Sequence, residues 1–195
     1  MMVRRFALSL WVLPPVVAST EDAQAACKKG DCKAALQSFR LLAEEGNVYA
    51  QYYLGAKYDR GQGVSRDYVE AAKWYRLAAN QGFAQAQSDL GDLYKSGRGL
   101  PQDFTEAAKW YRLAADQGDA YAQYLLGFMY KDGYGVPLDY AQAYQWVNLA
   151  DASGYPVAEG LRDVLLKQMT PDQITIAQRL VQKWLVAHPN SSVGR

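Results

Sequence analysis

Residues 47–82 read NVYAQYYLGAKYDRGQGVSRDYVEAAKWYRLAANQG, residues 83–118 read FAQAQSDLGDLYKSGRGLPQDFTEAAKWYRLAADQG, and residues 119–154 read DAYAQYLLGFMYKDGYGVPLDYAQAYQWVNLADASG. The three blocks abut and align without a gap. Ala50, Ala86 and Ala122 coincide, each followed by a glutamine (Gln51, Gln87, Gln123), then by Leu54-Gly55, Leu90-Gly91 and Leu126-Gly127. Tyr58, Tyr94 and Tyr130 precede a two-glycine loop: Gly61 and Gly63, Gly97 and Gly99, Gly133 and Gly135. Asp67, Asp103 and Asp139 follow, then Ala71, Ala107 and Ala143, then Trp74, Trp110 and Trp146, and each block closes on Gly82, Gly118 or Gly154. Self-similarity at a fixed period of this length is the mark of a stacked array, in which shared residues hold the stack together and differences between copies carry function.

Each block divides into two helices. Ala50, Leu54 and Tyr58 recur every fourth residue, one stripe of a first helix. Gly55 lies inside that stripe, where it costs roughly 1 kcal/mol relative to alanine, so close approach by another backbone is expected there. The Gly-x-Gly loop ends this helix. Asp67, Asp103 and Asp139 start the second, with Glu70, Glu106 and Gln142 three residues on, the spacing of a capping box. Ala71, Trp74 and Ala78 then share a face, with Leu77 beside them.

The run Ala84-x-Ala86-Gln87-x-x-Leu90-Gly91-x-x-Tyr94-x-x-Gly97-x-Gly99-Leu100-x-x-Asp103-Phe104-x-x-Ala107-x-x-Trp110-x-x-x-Ala114 resembles the Sel1-like repeat, a relative of the tetratricopeptide repeat with a longer loop. The resemblance implies an all-α fold: a right-handed α-solenoid of helix-turn-helix repeats with N- and C-terminal capping helices. Residues 26–46 read as a half-repeat cap, with Asp31, Ala35, Leu41 and Gly46 at second-helix positions and Ser38 where tryptophan stands elsewhere. Residues 155–188 read as C-terminal capping helices, the last starting at Thr170-Pro171 with Gln173 as the capping-box partner. The stretch 169–174 is similar to the tails of many short bacterial members of the family. Residues 188–195 read as a frayed end, with 189–195 a flexible tail.

Residues 1–25 read as a secretory signal peptide: Arg4 and Arg5, an apolar stretch over 6–18 interrupted by Pro14 and Pro15, and Ala23-Gln24-Ala25 as a cleavage site. Cleavage after Ala18 and a retained anchor are the alternatives. Lipidation of Cys27 fits poorly, since Gln24 stands where a lipobox carries leucine. Two cysteines in an exported chain, Cys27 and Cys32, fit one local disulfide. The disulfide within each repeat that marks the cysteine-rich branch of the family is missing from this pattern. The expected location is the periplasm or the exterior of a bacterial cell, with no stable membrane insertion once the signal is removed.

No catalytic, metal or cofactor site is legible. His188 is the one histidine, neither Gly-x-Ser-x-Gly nor Ser-x-x-Lys occurs, and the Gly-x-Gly loops lack the preceding strand and third glycine of a dinucleotide site. A formal net charge of +1 gives no reason to expect nucleic acid as a partner.

By analogy with tetratricopeptide arrays, the first helices line a concave face, where the copies differ. One copy presents Tyr49 and Tyr52, the next Gln85, Ser88, Asp92 and Lys95, the third Tyr121, Tyr124, Phe128 and Lys131. Two uses fit the tyrosines equally: contact with a bound peptide, or packing between neighbouring repeats. The expected function is a non-catalytic protein- or peptide-binding scaffold or adaptor of the cell envelope. The alternative is a binder of cell-wall glycan or of a β-lactam-like ligand with weak hydrolysis; the missing Ser-x-x-Lys weighs against turnover.

Overall fold

A computed structural model describes residues 32–189, together with Ser19, Glu21 and Ala25. The signal-peptide reading, the Cys27–Cys32 pairing, Asp31 as a cap and the tail from 190 onward lie outside what is described. Nine helices follow one another in these residues, with no strand among them: α1 (Cys32–Glu44), α2 (Val48–Arg60), α3 (Tyr68–Asn80), α4 (Ala84–Ser96), α5 (Phe104–Asp116), α6 (Ala120–Asp132), α7 (Tyr140–Ala152), α8 (Ala158–Gln168) and α9 (Pro171–Ala187). Each helix packs on the next through α8, and α9 returns to pack on α7. The result is a solenoid of helix pairs.

The residues common to all copies account for the local structure. Gly61, Gly97 and Gly133 end α2, α4 and α6 in the left-handed region, with φ of 68°, 68° and 73°. Asp67, Asp103 and Asp139 cap α3, α5 and α7, each accepting from two backbone N–H groups of the first turn. The reciprocal half of the expected capping box does not form. Glu70 instead accepts from the Trp74 indole at 3.1 Å and pairs with Lys73. Among the described residues, Thr170 and Gln173 at the start of α9 complete both bonds. Leu77 and Leu113 also depart from expectation: they are exposed, whereas Leu149 is buried. The buried positions beside that face are taken by Tyr75 and Tyr111, two residues earlier.

Two side-chain ladders register the stack. Gln51, Gln87 and Gln123 each donate at 3.1 Å to a carbonyl near the end of the preceding unit, of Ala43, Ala79 and Ala115. Gln81 and Gln117 donate back to Gln51 and Gln87 at 2.7 Å. In the third copy Ser153 replaces that second glutamine, and Gln123 Oε1 is left without a protein partner. The other ladder runs from Arg40, Arg76 and Arg112 to the hydroxyls of Tyr58, Tyr94 and Tyr130 in the next unit. At the C-terminal end Trp184 of α9 meets Trp146 edge to face at 6.5 Å, and His188 stacks on Trp184 at 4.2 Å. His188 is therefore packed onto the cap rather than frayed.

Candidate functional site

The face formed by α2, α4 and α6 carries the positions where the copies differ. Tyr49 is 53% exposed and meets Phe83 edge on at 5.4 Å. Tyr52 is half-buried among Tyr53, Tyr75 and Phe83. Tyr121 and Tyr124 lie 6.1 and 5.1 Å from the ring of Tyr155. The tyrosines thus pack between successive units and still keep exposed surface. Gln85 is exposed, whereas Ser88 is 2% exposed and donates to the Ala84 carbonyl, so it offers no surface to a partner. Lys95 pairs with Asp92 at 3.0 Å, and Lys131 pairs with Asp132 beside the ring of Phe128.

A glycine and a tyrosine create the polar centre of this face. A Cβ on Gly91 would stand 2.7 Å from Cε1 of Tyr111, so the missing side chain is what lets that ring lie against α4. The hydroxyl emerges beside the next residue and donates to Asp92 at 2.6 Å. Tyr121, reaching back from α6, donates to the other carboxylate oxygen at 2.8 Å. One unit earlier, Tyr75 crosses Gly55 in the same way. Ala56 stands there in place of an aspartate, and the Tyr75 hydroxyl, on a residue 1% exposed, has no protein partner. In the third unit Val147 covers Gly127 and brings no hydroxyl. The polar centre therefore belongs to the middle of the array.

Asp89 stands one turn before Asp92 on α4. Its Oδ2 is buried with no hydrogen-bond partner, and the Tyr52 hydroxyl bonds the carboxyl. Its pKa is pushed up to about 7, first by burial, then by the like charges of Asp92 and Asp59; Arg60 and the bond from Tyr52 pull the other way. Burial and the neighbouring carboxylates also raise the hydroxyls of Tyr52, Tyr75, Tyr111 and Tyr121. Asp89, Tyr75 and Tyr111 are not among the residues that the repeat pattern singles out. The signal was present: the position reads Tyr53, Asp89, Leu125 across the copies, a carboxylate where its counterparts are bulky and largely apolar.

Beside this centre Lys95, Tyr124, Leu125, Phe128 and Met129 line an apolar cavity of about 390 Å³. Phe128 is 37% exposed and stacks on Tyr134. Lys95 belongs to both regions, so the acidic centre and the apolar groove are contiguous across α4 and α6. No group of three His, Cys, Asp or Glu among the described residues has a metal-binding arrangement, and no described helix is long and apolar enough to cross a membrane.

The family model for the Sel1 repeat matches residues 48–83, 84–119 and 120–152, more than half of the chain. A Sel1 repeat protein from Oxalobacter formigenes has a crystal structure similar to this one, with TM-score 0.74 and 28% identity over 90% of this chain and 78% of that one. A protective antigen of uropathogenic Escherichia coli strains, with an SLR fold, matches with TM-score 0.59 and 28% identity over 86% of this chain; the match spans 46% of the antigen. None of the curated proteins matches the sequence.

Proposed function

Because this chain belongs to the Sel1-repeat family, whose members are generally protein-interaction scaffolds, we propose that it is a non-catalytic peptide- or protein-binding scaffold of the bacterial cell envelope, acting in the periplasm or outside the cell. The observation that carries this reading is the continuous α2–α4–α6 face, with its polar centre and the apolar cavity lined by Tyr124 and Phe128. Partly exposed aromatic rings with polar tips are the usual anchors of such surfaces. The envelope assignment rests on the N-terminal Arg4-Arg5, apolar 6–18 and Ala23-Gln24-Ala25 pattern. The expected site residues are Tyr49, Tyr52, Gln85, Asp92, Lys95, Tyr121, Tyr124, Phe128 and Lys131, to which Asp89 is added.

Immobilised full-length protein is incubated with envelope extract, in parallel with a Tyr124→Ala/Phe128→Ala variant and with purified peptidoglycan. A protein retained by the wild type and lost from a folded variant supports the reading. Retention unchanged by the variant contradicts it, and capture of peptidoglycan in place of protein supports the glycan alternative.

A further inference from the structure

Polar groups buried without a protein partner are uncommon in folded proteins, and each calls for an explanation. Two such groups converge on the middle of the array. Tyr75 is 1% exposed, and its hydroxyl has no protein partner. Asp89 Oδ2 is buried and equally unpaired. They belong to one cluster, since the charges of Asp89 and Asp59 both act on the Tyr75 hydroxyl. The ionised Asp89 oxygen can only accept, and the Tyr75 hydroxyl can accept as well as donate, so one group that satisfies both atoms is a donor.

The surrounding charges narrow the donor to a cation. Asp59 on α2 and Asp92 on α4 repel negative charge at Asp89, and positive charge placed there relieves that repulsion. The cations already nearby are engaged elsewhere or act from outside. Lys95 is held by Asp92, Arg98 lies 4.0 Å from Asp59, and Arg60 is exposed. The walls are aromatic: Tyr52 lies 5.8 Å from Tyr75 and 5.0 Å from Phe83, ring to ring. Carboxylate and hydroxyl acceptors beside aromatic faces suit an ammonium or guanidinium group.

Resting on the scaffold reading above, we propose that Asp89 and Tyr75, flanked by Tyr52, receive the lysine or arginine side chain of a bound peptide whose neighbouring large apolar side chain occupies the groove lined by Tyr124, Leu125 and Phe128. The continuity of the acidic centre with that groove through Asp92 and Lys95 favours a peptide over a free amine. Recognition is coupled to pH through Asp89. The groups facing it are Tyr52, Asp59 and Arg60 of α2, Tyr75 of α3, Asp92 of its own helix, Tyr111 of α5 and Tyr121 of α6. With its pKa pushed up to about 7, Asp89 is ionised above neutrality, where it attracts the cation, and protonated in acid, where it does not.

A randomised peptide library displayed on phage is selected against the full-length protein, and recovered peptides are titrated by fluorescence anisotropy. Expected are sequences that pair Lys or Arg with a large apolar residue. Their affinity falls about tenfold in Asp89→Asn, and by a similar factor when the basic residue becomes norleucine or glutamine. The wild type weakens about tenfold between roughly pH 8 and pH 5.5, while Asp89→Asn stays flat. Tyr75→Phe, which preserves the packed ring, weakens binding by a smaller factor. Recovery of acidic or purely apolar peptides, or indifference to Asp89→Asn, overturns the proposal. Binding of free butylamine as tight as that of the peptides overturns the peptide assignment. Peptides that need Tyr124 and Phe128 but no charge leave the scaffold reading standing and remove this one; failure to recover any binding peptide counts against both.

Discussion

The Tyr111 hydroxyl donates to Asp92 at 2.6 Å across two helices that meet at Gly91, whereas the equivalent hydroxyl, on Tyr75, meets no such partner because Ala56 occupies the corresponding site. The same ring in the same packing thus differs between adjacent units only in whether its polar tip is satisfied. Removing a hydrogen bond to a charged group costs about 1–3 kcal/mol, while removing an unpartnered buried hydroxyl costs little or stabilises. Tyr111→Phe is expected to lower the unfolding free energy by about 1–3 kcal/mol, and Tyr75→Phe to change it by less than about 0.5 kcal/mol or to raise it. Urea unfolding of the two variants decides this. Equal losses would mean that the Tyr75 hydroxyl is satisfied in solution.

Asp89 makes stability depend on pH. Its pKa moves from 3.8 to about 7 on folding, so the folded chain holds that proton more tightly than the unfolded one. The contribution is neutral below the unfolded value, turns destabilising as pH rises through the interval, and levels off above the folded value. Asp89→Asn is expected to stabilise the protein by on the order of 2–4 kcal/mol above about pH 7.5, and by almost nothing near pH 4. The measurement is the difference in unfolding free energy between variant and wild type across that range. A difference independent of pH would refute the burial of this carboxylate.

Gly135 and Gly118 separate backbone strain from steric conflict. Both have positive φ, 67° and 89°, but a Cβ on Gly135 would lie 2.2 Å from the Phe104 carbonyl carbon, and one on Gly118 would meet nothing within 4 Å. Gly118→Ala is expected to cost about 1–2 kcal/mol, the left-handed penalty alone. Gly135→Ala adds overpacking against the preceding unit, for a total of about 3 kcal/mol or more. Thermal denaturation ranks them, and the reverse order would contradict the inter-unit contact.

Much of the fold was legible because an array states its packing three times. The Gly-x-Gly loops, the aspartate caps and the Thr170–Gln173 box all rest on contacts within a few residues of chain, which local spacing reports. Contacts between units were less visible. The repeat pointed to a close backbone at Gly55 and Gly91, but what lies against them is a side chain, the ring of Tyr75 or Tyr111, which nothing in the spacing identified. Asp89 was hidden for a related reason. Its character comes from Asp59, Tyr52 and Asp92 brought together by stacking, and only a contrast with Tyr53 and Leu125 hinted at it. Ser88, expected on the surface, is buried because the three-residue step from exposed Gln85 turns around α4 into the core.

The C-terminal cap should fail locally. Trp184 is 6% exposed and closes over Trp146. Trp184→Ala is expected to cost about 3–5 kcal/mol. In a stack held by nearest-neighbour interfaces the damage concentrates at the near end. Hydrogen exchange should accelerate in α7 and α9 and stay close to wild type in α2 and α3. Uniform acceleration would show that the array unfolds as one cooperative unit.

The α4–α6 face is tested most directly by a photoreactive residue placed at Tyr124 in living cells, with one at Leu113, 48% exposed on α5, as the control position. If that face binds a protein partner, irradiation yields a discrete cross-linked species from position 124, absent from position 113 and lost when Phe128→Ala is added. Cross-links of equal yield and pattern from both positions, or none from position 124 while the protein is folded and present, would contradict it.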